Sequence, residues 1–336
     1  MHKVGVIGCG YWGPNLIRNF VQMSRTDVKL VADLDDTRLK HMKEIYPSVE
    51  TTKDFKDILD DPEIDIVAVA TPVHTHFKIA SDALAGKKHV FVEKPIAASV
   101  AEANGLIDLS EKNKRKLMVG HTFLYTSAVR KMKRIIGSGE LGEIFYINSQ
   151  RLNLGLFQQD INVVWDLAPH DISIVLFLLG EKPQSVSVVG APHINNAIQD
   201  VAILTLQFAE NRLAFIQTSW LDPDKIRKMT VVGSKKMMVY DDVEPTEKIR
   251  IYDKGVEVPK HYDTYDEFHY SYKYGDILIP KIEGTEPLRT ELNHFVDCIE
   301  KDGKPLSDGY NGLEVVRILE ASQKSLDAGS IRVAID

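Results

Sequence analysis

The sequence predicts an α/β domain on a doubly wound parallel sheet, followed by an α+β domain on an open, mainly antiparallel sheet. Three observations carry that expectation. Short apolar runs alternate with amphipathic stretches through the first third of the chain. A glycine-rich loop joins the first apolar run to the first amphipathic stretch. After about residue 121 the alternation gives way to successive strand-like segments separated by short turns.

Residues 4–7, 30–32, 66–70, 90–92 and 117–119 read as buried strands, with helices over 15–23, 37–46, 75–84 and 100–112. Val4, Val6 and Ile7 form an almost unbroken apolar run, the pattern of a strand covered on both faces. Strands that alternate with helices make βαβ units, hence a parallel sheet. The second domain opens with a helix over 127–136, closed by Gly137, and a strand over 144–152. A helix around 170–179 follows, then strands over 185–189, 201–208, 213–220, 228–232 and 236–240. Short turns between several of these argue antiparallel pairing. The chain returns to helix at 287–300 and 309–327 and ends on a short strand. This reading divides the chain into 1–121 and 122–336.

Composition narrows the function classes. The 336 residues are enough for two cores. A net charge of −7, with no local run of Lys or Arg, gives no footprint for nucleic acid. Cys9 and Cys298 form neither a disulfide framework nor a zinc pattern, and no metal is expected. The longest apolar run, 174–179, is far too short to span a bilayer, so no membrane partner is expected. Nothing at the N-terminus resembles a signal peptide, and the expected setting is cytoplasmic.

The loop Gly8-Cys9-Gly10-Tyr11-Trp12-Gly13 is a G-x-G-x-x-G pattern between a strand and a helix, the context that dinucleotide binding requires. Gly8 permits the tight turn, Gly10 lets backbone approach a pyrophosphate, and Gly13 permits close helix–strand packing. The helix N-terminus supplies free N–H groups for phosphate. Asp33 ends the second strand, where a carboxylate binds ribose hydroxyls and repels a 2′-phosphate, so NAD is favoured over NADP. Arg38 argues the other way, and Asp33 could also simply open the next turn.

Val92-Glu93-Lys94-Pro95 closes the fourth strand, at the end of the sheet where ligands bind. Lys94 follows a buried run, and Pro95 is able to take a cis peptide that would aim it. Further on, Pro169 is tolerated only in a first helical turn, so a helix is expected to start near residue 168. That puts His170 in the first turn, where the helix dipole keeps imidazole neutral, with Asp166 just before it. A neutral imidazole can take a proton from an alcohol. On the residues alone, a second reading stays open: Asp166 as a cap and His170 as a core histidine.

The Gly8 loop, Ala70-Thr71-Pro72 with His74 and His76, Glu93-Lys94-Pro95, and Asp166 with His170 occur in this order in the chain. In that order it resembles the glucose-fructose oxidoreductase and inositol dehydrogenase (Gfo/Idh/MocA) family over nearly its whole length. The resemblance implies catalysis by Lys94, Asp166 and His170, with His170 as general acid/base. It implies cofactor contacts from Gly8, Gly10, Tyr11, Trp12, Gly13, Asp33, Thr71, Pro72, His74, His76, Glu93 and Lys94. Many members have glycine between the Asp and the His, where this chain has Leu167, Ala168 and Pro169.

His121, Tyr125, Arg151, Asn153 and Trp165, polar or aromatic and near the expected cleft, are the candidate substrate contacts beside the catalytic three. The stretches 120–125, 151–153 and 165–171 resemble members of polysaccharide and amino-sugar pathways, implying a nucleotide sugar oxidised at C3 or the reverse ketoreduction. Inositols and free sugars are alternatives. So are an NAD-dependent glycosidase working by transient C3 oxidation and a dinucleotide-sensing regulator, against which the retained Lys94, Asp166 and His170 argue. Family members pair through the second domain's sheet, implying a homodimer or homotetramer. The tyrosine-rich segment 261–275 reads as a long aromatic-stapled loop, with sugar stacking or subunit contact as its other readings.

Overall fold

The computed structural model describes residues 1–257 and 271–335. The chain divides into two compact units, one of 1–125 with 285–320, the other of 126–284 with 321–336. The first unit thus runs through Tyr125. A C-terminal stretch also returns to the first unit, which a linear reading of the sequence does not anticipate.

The first unit begins β1 (His2–Ile7), α1 (Gly13–Gln22), β2 (Thr26–Ala32), α2 (Asp36–Ile45), β3 (Glu50–Thr52), α3 (Lys56–Asp60) and β4 (Ile64–Val69). It continues α4 (Val73–Ala85), β5 (His89–Glu93), α5 (Val100–Lys112) and β6 (Leu117–Gly120). Among the described residues the strands form a six-stranded parallel sheet in the order β3-β2-β1-β4-β5-β6. Val4, Val6, Val67, Ala68, Phe91 and Val92 are fully buried, as strands covered on both faces must be. β3 and α3 escape sequence reading because each is too short to show a period.

The second unit begins α6 (Ser127–Gly137), β7 (Ile144–Leu152), α7 (Val163–Leu179), β8 (Ser185–Ala191), β9 (Val201–Gln207) and β10 (Leu213–Ser219). It goes on through β11 (Ile226–Gly233), β12 (Met237–Asp241), β13 (Ile249–Glu257) and β14 (Ser271–Leu278). Next come α8 (Pro287–Glu300), which belongs to the first unit, and α9 (Gly309–Asp327), which passes from the first unit to the second after Glu320. β15 (Val333–Ala334) closes the chain. The sheet order is β14-β13-β12-β11-β7-β10-β9-β8-β15 among the described residues. Among the described residues all its pairings are antiparallel except β7 with β10.

Alternation along β7 is clear. Ile147, Ser149 and Arg151 are buried on the face that packs α7, while Tyr146, Asn148 and Gln150 point the other way. That second face carries Val189 opposite Ile203, and Phe215 edge-on to Tyr146 at 6.1 Å. Tyr272 and Tyr274 lie exposed on β14. Tyr262, Tyr265 and Tyr270 of the tyrosine-rich segment lie outside the described residues.

α7 corrects an expectation. It starts at Val163, not near residue 168, because Asn162 caps it by accepting from the amides of Val164 and Trp165. Pro169 is therefore inside the helix. No described helix is long and apolar enough to cross a membrane.

Candidate active site

In the first unit the candidate groups gather at the carboxyl ends of β1, β4, β5 and β6, beside the point where the strand order reverses. Gly8 has φ +100°, and a Cβ there would stand 2.5 Å from the Ala70 carbonyl oxygen. A Cβ on Gly13 would stand 2.0 Å from the Gly8 carbonyl oxygen, so loop and helix lock together only with glycine at both positions. At Gly10 the nearest atom to such a Cβ is Arg38 Nη1 at 3.7 Å, which leaves the open backbone a pyrophosphate needs. The residues present fit a dinucleotide. Tyr11 is exposed, and Trp12 occupies the N-cap of α1.

Asp33 accepts from the Cys9 amide at 2.6 Å and from the Asp35 amide at 2.9 Å, tying the end of β2 to the glycine loop. Arg38 lies 3.7 Å from Asp33 and 3.6 Å from Asp35, between two carboxylates. Cys9 is buried, and burial, with the Asp33 charge adding, pushes its thiol up to about 12. It stays a protonated filler of the turn.

Thr71 and Pro72 follow β4, and His74 is exposed at the start of α4. His76 is different. It is 1% exposed, with Nδ1 2.8 Å from the Pro95 carbonyl oxygen and Nε2 2.8 Å from that of Thr71. It joins the loops after β4 and β5 from within. The Lys94–Pro95 peptide is cis.

Around Lys94, burial shifts ionisable groups toward their neutral forms. Burial raises the Glu93 carboxyl to about 7, against the Lys94 charge, the Lys94 amide and the Trp12 indole. Burial lowers His121 to about 3, with the Lys94 charge adding. Glu291 on α8 is fully buried, accepts from Thr122 Oγ1 at 2.7 Å, and burial holds its carboxyl well above the usual range. His121 was expected to meet substrate; it is 1% exposed, and both ring nitrogens lack a hydrogen-bond partner among the described residues. Tyr125 is equally buried, its hydroxyl 3.1 Å from Ser307 Oγ and its ring 5.6 Å from His294. Neither side chain lines a surface. Both belong to the packing behind the strand ends.

In the second unit Asp166 and His170 lie one turn apart on the less buried stripe of α7. Since α7 begins at Val163, His170 is about two turns in, beyond the reach of the helix N-terminus. The dipole therefore does not account for a neutral imidazole there. Trp220, just past β10, donates from Nε1 to Asp166 Oδ2 at 2.9 Å. Behind His170, Asp171 accepts from Ser149 Oγ at 2.7 Å and from Arg151 Nε at 2.5 Å. Arg151, expected to meet substrate, is 5% exposed and spends its guanidinium on this ion pair. Asn153 and Trp165 are half-buried, the former donating its amide to Ser219 at 3.2 Å.

Sequence reasoning missed Trp220, Asp171, Ser149 and Glu291. Each lies in an apolar run or beside one, and only tertiary packing reveals its partner. No cluster of three or more His, Cys, Asp or Glu able to hold a metal occurs among the described residues.

Two family models match the chain: "Oxidoreductase family, NAD-binding Rossmann fold" over residues 2–121, and "GFO/IDH/MocA C-terminal domain" over 129–239. The myo-inositol 2-dehydrogenase of Thermotoga maritima is 23% identical, covering 97% of this chain and 96% of that protein. UDP-N-acetylglucosamine 3-dehydrogenase from Acidithiobacillus ferrooxidans superposes with TM-score 0.80 at 22% identity, over 98% of this chain and 99% of that one. Levoglucosan dehydrogenase, solved with NADH and L-sorbose, gives TM-score 0.84 at 20% identity, over 100% of this chain and 99% of that one. At these identities the structural likenesses show the shared fold.

The carboxyl of Glu93 carries a pH signature. Its pKa is raised in the fold from 4.5 to about 7, so its contribution to stability is present below 4.5 and lost as pH rises through 7. Glu93→Gln cannot ionise. The melting temperature of the variant minus that of wild type should therefore become more positive from pH 4.5 to pH 8. A difference that stays flat across this range would show that Glu93 is ionised at its ordinary pKa.

Proposed function

The chain belongs to the Gfo/Idh/MocA family of NAD-binding oxidoreductases, and we propose that it moves a hydride between a secondary alcohol of a sugar or nucleotide sugar and NAD. Lys94 carries this reading, standing at the carboxyl end of β5, the same end of the sheet as the glycine loop. NAD, when bound, supplies the nicotinamide that accepts or returns the hydride. The glycine loop and the N-terminus of α1 would hold its pyrophosphate, and Asp33 its adenosine ribose. Thr71, Pro72, His74 and Glu93 are the further cofactor contacts in this reading.

In the oxidation direction the alcohol carbon loses hydride and the hydroxyl loses a proton, leaving a ketone. We assign the proton to His170, a base oriented by Asp166. Lys94 donates a hydrogen bond to the reacting oxygen and stabilises alkoxide character as it develops. Asn153 and Trp165 are the remaining substrate contacts. The C3 hydroxyl of a UDP-sugar is the preferred substrate, supported by the likeness to the UDP-N-acetylglucosamine 3-dehydrogenase. The likeness to an inositol dehydrogenase supports a cyclic polyol as the next candidate. Both cysteines are free thiols, in keeping with the cytoplasmic setting we infer.

We further infer a homodimer or homotetramer through the face of the second unit's sheet opposite α7. Val189, Ile203 and Tyr146 there are apolar and exposed. Light scattering should give twice or four times the 37.8 kDa chain mass. Charged substitutions at Ile203 and Phe215 should lower that mass, and an unchanged mass would move the interface elsewhere.

NAD preference rests on Asp33. A carboxylate about 4 Å from a 2′-phosphate, at an effective dielectric near 20, costs roughly 4 kcal/mol per unit charge before screening. Arg38, ion-paired with Asp33 and Asp35, is not set to offset it. Asp33→Ser should narrow the NAD:NADP ratio of kcat/KM by about tenfold or more. A wild-type enzyme that prefers NADP would overturn the assignment.

The activity itself is tested with nucleotide sugars, free sugars and inositols, following the absorbance of reduced cofactor. Lys94→Ala should lose most turnover on the active substrate, and His170→Ala about 10²–10⁴-fold. Both should keep NAD affinity near that of wild type. Turnover without stoichiometric NAD reduction would point to the glycosidase. Near wild-type turnover in either variant would remove that residue from the mechanism.

A further inference from the structure

Pro169 lies inside α7 between Asp166 and His170. It has no N–H to give to the carbonyl of Trp165, and its ring crowds that carbonyl. The helix is therefore weakest across the turn that must hold the two side chains in register. One anchor stands on each side of this break. Ahead of it, Trp220 Nε1 holds Asp166 at 2.9 Å. After it, Ser149 Oγ at 2.7 Å and Arg151 Nε at 2.5 Å hold Asp171, the neighbour of His170.

The anchors share one rigid base. Ser149 and Arg151 are alternate inward residues of β7, and Trp220 follows Ser219, the last residue of β10. β7 and β10 pair directly, with Arg151 opposite Thr218 and Leu152 opposite Ser219. Trp220 is fixed further by its amide, which donates to the Asp200 carbonyl at 2.9 Å. Its ring packs 5.6 Å from that of Phe157. Asp171 faces the sheet, and in a helix the next residue points about 100° away, so the ion pair also sets the rotation at which α7 presents His170.

We propose that Trp220, Ser149 and Arg151 are positioning residues that hold Asp166 and His170 in register across the helix defect at Pro169. The proposal rests on the reading of Asp166 and His170 as the working pair.

Removing Arg151 outright would strand Asp171 as a buried charge and threaten folding. The test therefore uses milder variants of the full chain. Trp220→Phe keeps the ring and loses only the Nε1 donor, and Ser149→Ala loses one hydroxyl. Each should lower kcat by about 10- to 100-fold, as small displacements of reacting groups do, with KM and NAD affinity within about twofold of wild type. Pro169→Ala restores the missing backbone donor. Introduced into Trp220→Phe, it should recover most of the lost kcat, measured against Pro169→Ala alone. Amide exchange over residues 165–172 should quicken in Trp220→Phe and slow again in the double variant.

Unchanged kcat in both single variants would overturn the proposal. So would a double variant no better than Trp220→Phe, or losses confined to KM. If instead His170→Ala keeps full turnover, the underlying reading fails. Amide exchange then judges the brace by itself: unchanged exchange in Trp220→Phe would overturn it too.

Discussion

The close crossing of the chain at Gly8 and Gly13 is the constraint from which the first unit follows. β1 ends buried between β2 and β4, so the chain can leave it only by turning sharply over the end of the sheet. That turn brings Gly8 against Ala70 and Gly13 against Gly8, at separations no side chain survives. Two consequences follow at once. The N-terminus of α1 is held against the strand ends, and the loop comes near enough to β2 for Asp33 to bind the Cys9 amide. A methyl group at either glycine would push the helix off the sheet and detach Asp33 from the loop together.

The two units handle buried ionisable groups in opposite ways. Around Lys94, burial drives Glu93, His121 and Glu291 toward their neutral forms. With Glu93 raised to about 7 and His121 lowered to about 3, less charge stands beside the lysine, and in a weakly polar environment its own charge acts more strongly on its neighbours. Behind His170 the chain instead keeps both charges and pairs them, Arg151 with Asp171. A pair of this kind adds little net stability but is costly to break, on the order of 3–5 kcal/mol when one partner is removed. It specifies a geometry for the helix that bears His170.

This difference explains what could be read from the sequence. The glycine loop, Asp33 and Lys94 were legible because each sits where a strand visibly ends, and local sequence sets their geometry. The start of α7 was not. Pro169 signals a first turn by local rules, yet the cap at Asn162 and the packing of Val163 and Val164 extend the helix past it. His121, Tyr125 and Arg151 read as site residues by polarity and position, and all three proved buried. Polarity along the chain does not reveal which way a side chain turns, and no local pattern marks Trp220 or Glu291 as a partner.

The parallel pairing of β7 and β10 was also invisible locally, and it organises the second unit. The chain leaves β7, crosses the sheet through α7, and forms β8 and β9 before returning as β10. In effect this is a βαβ crossover set into a sheet that is otherwise antiparallel. Its result is that β7 and β10 end on the same side, where the Asn153 amide reaches Ser219 and Trp220 reaches Asp166. Ligands of parallel sheets gather at the carboxyl ends of strands, where loops diverge and backbone groups are left to bind. The second unit thus applies locally the rule that governs the whole of the first. The stripe of α7 bearing Asp166 and His170 depends on that strand pair.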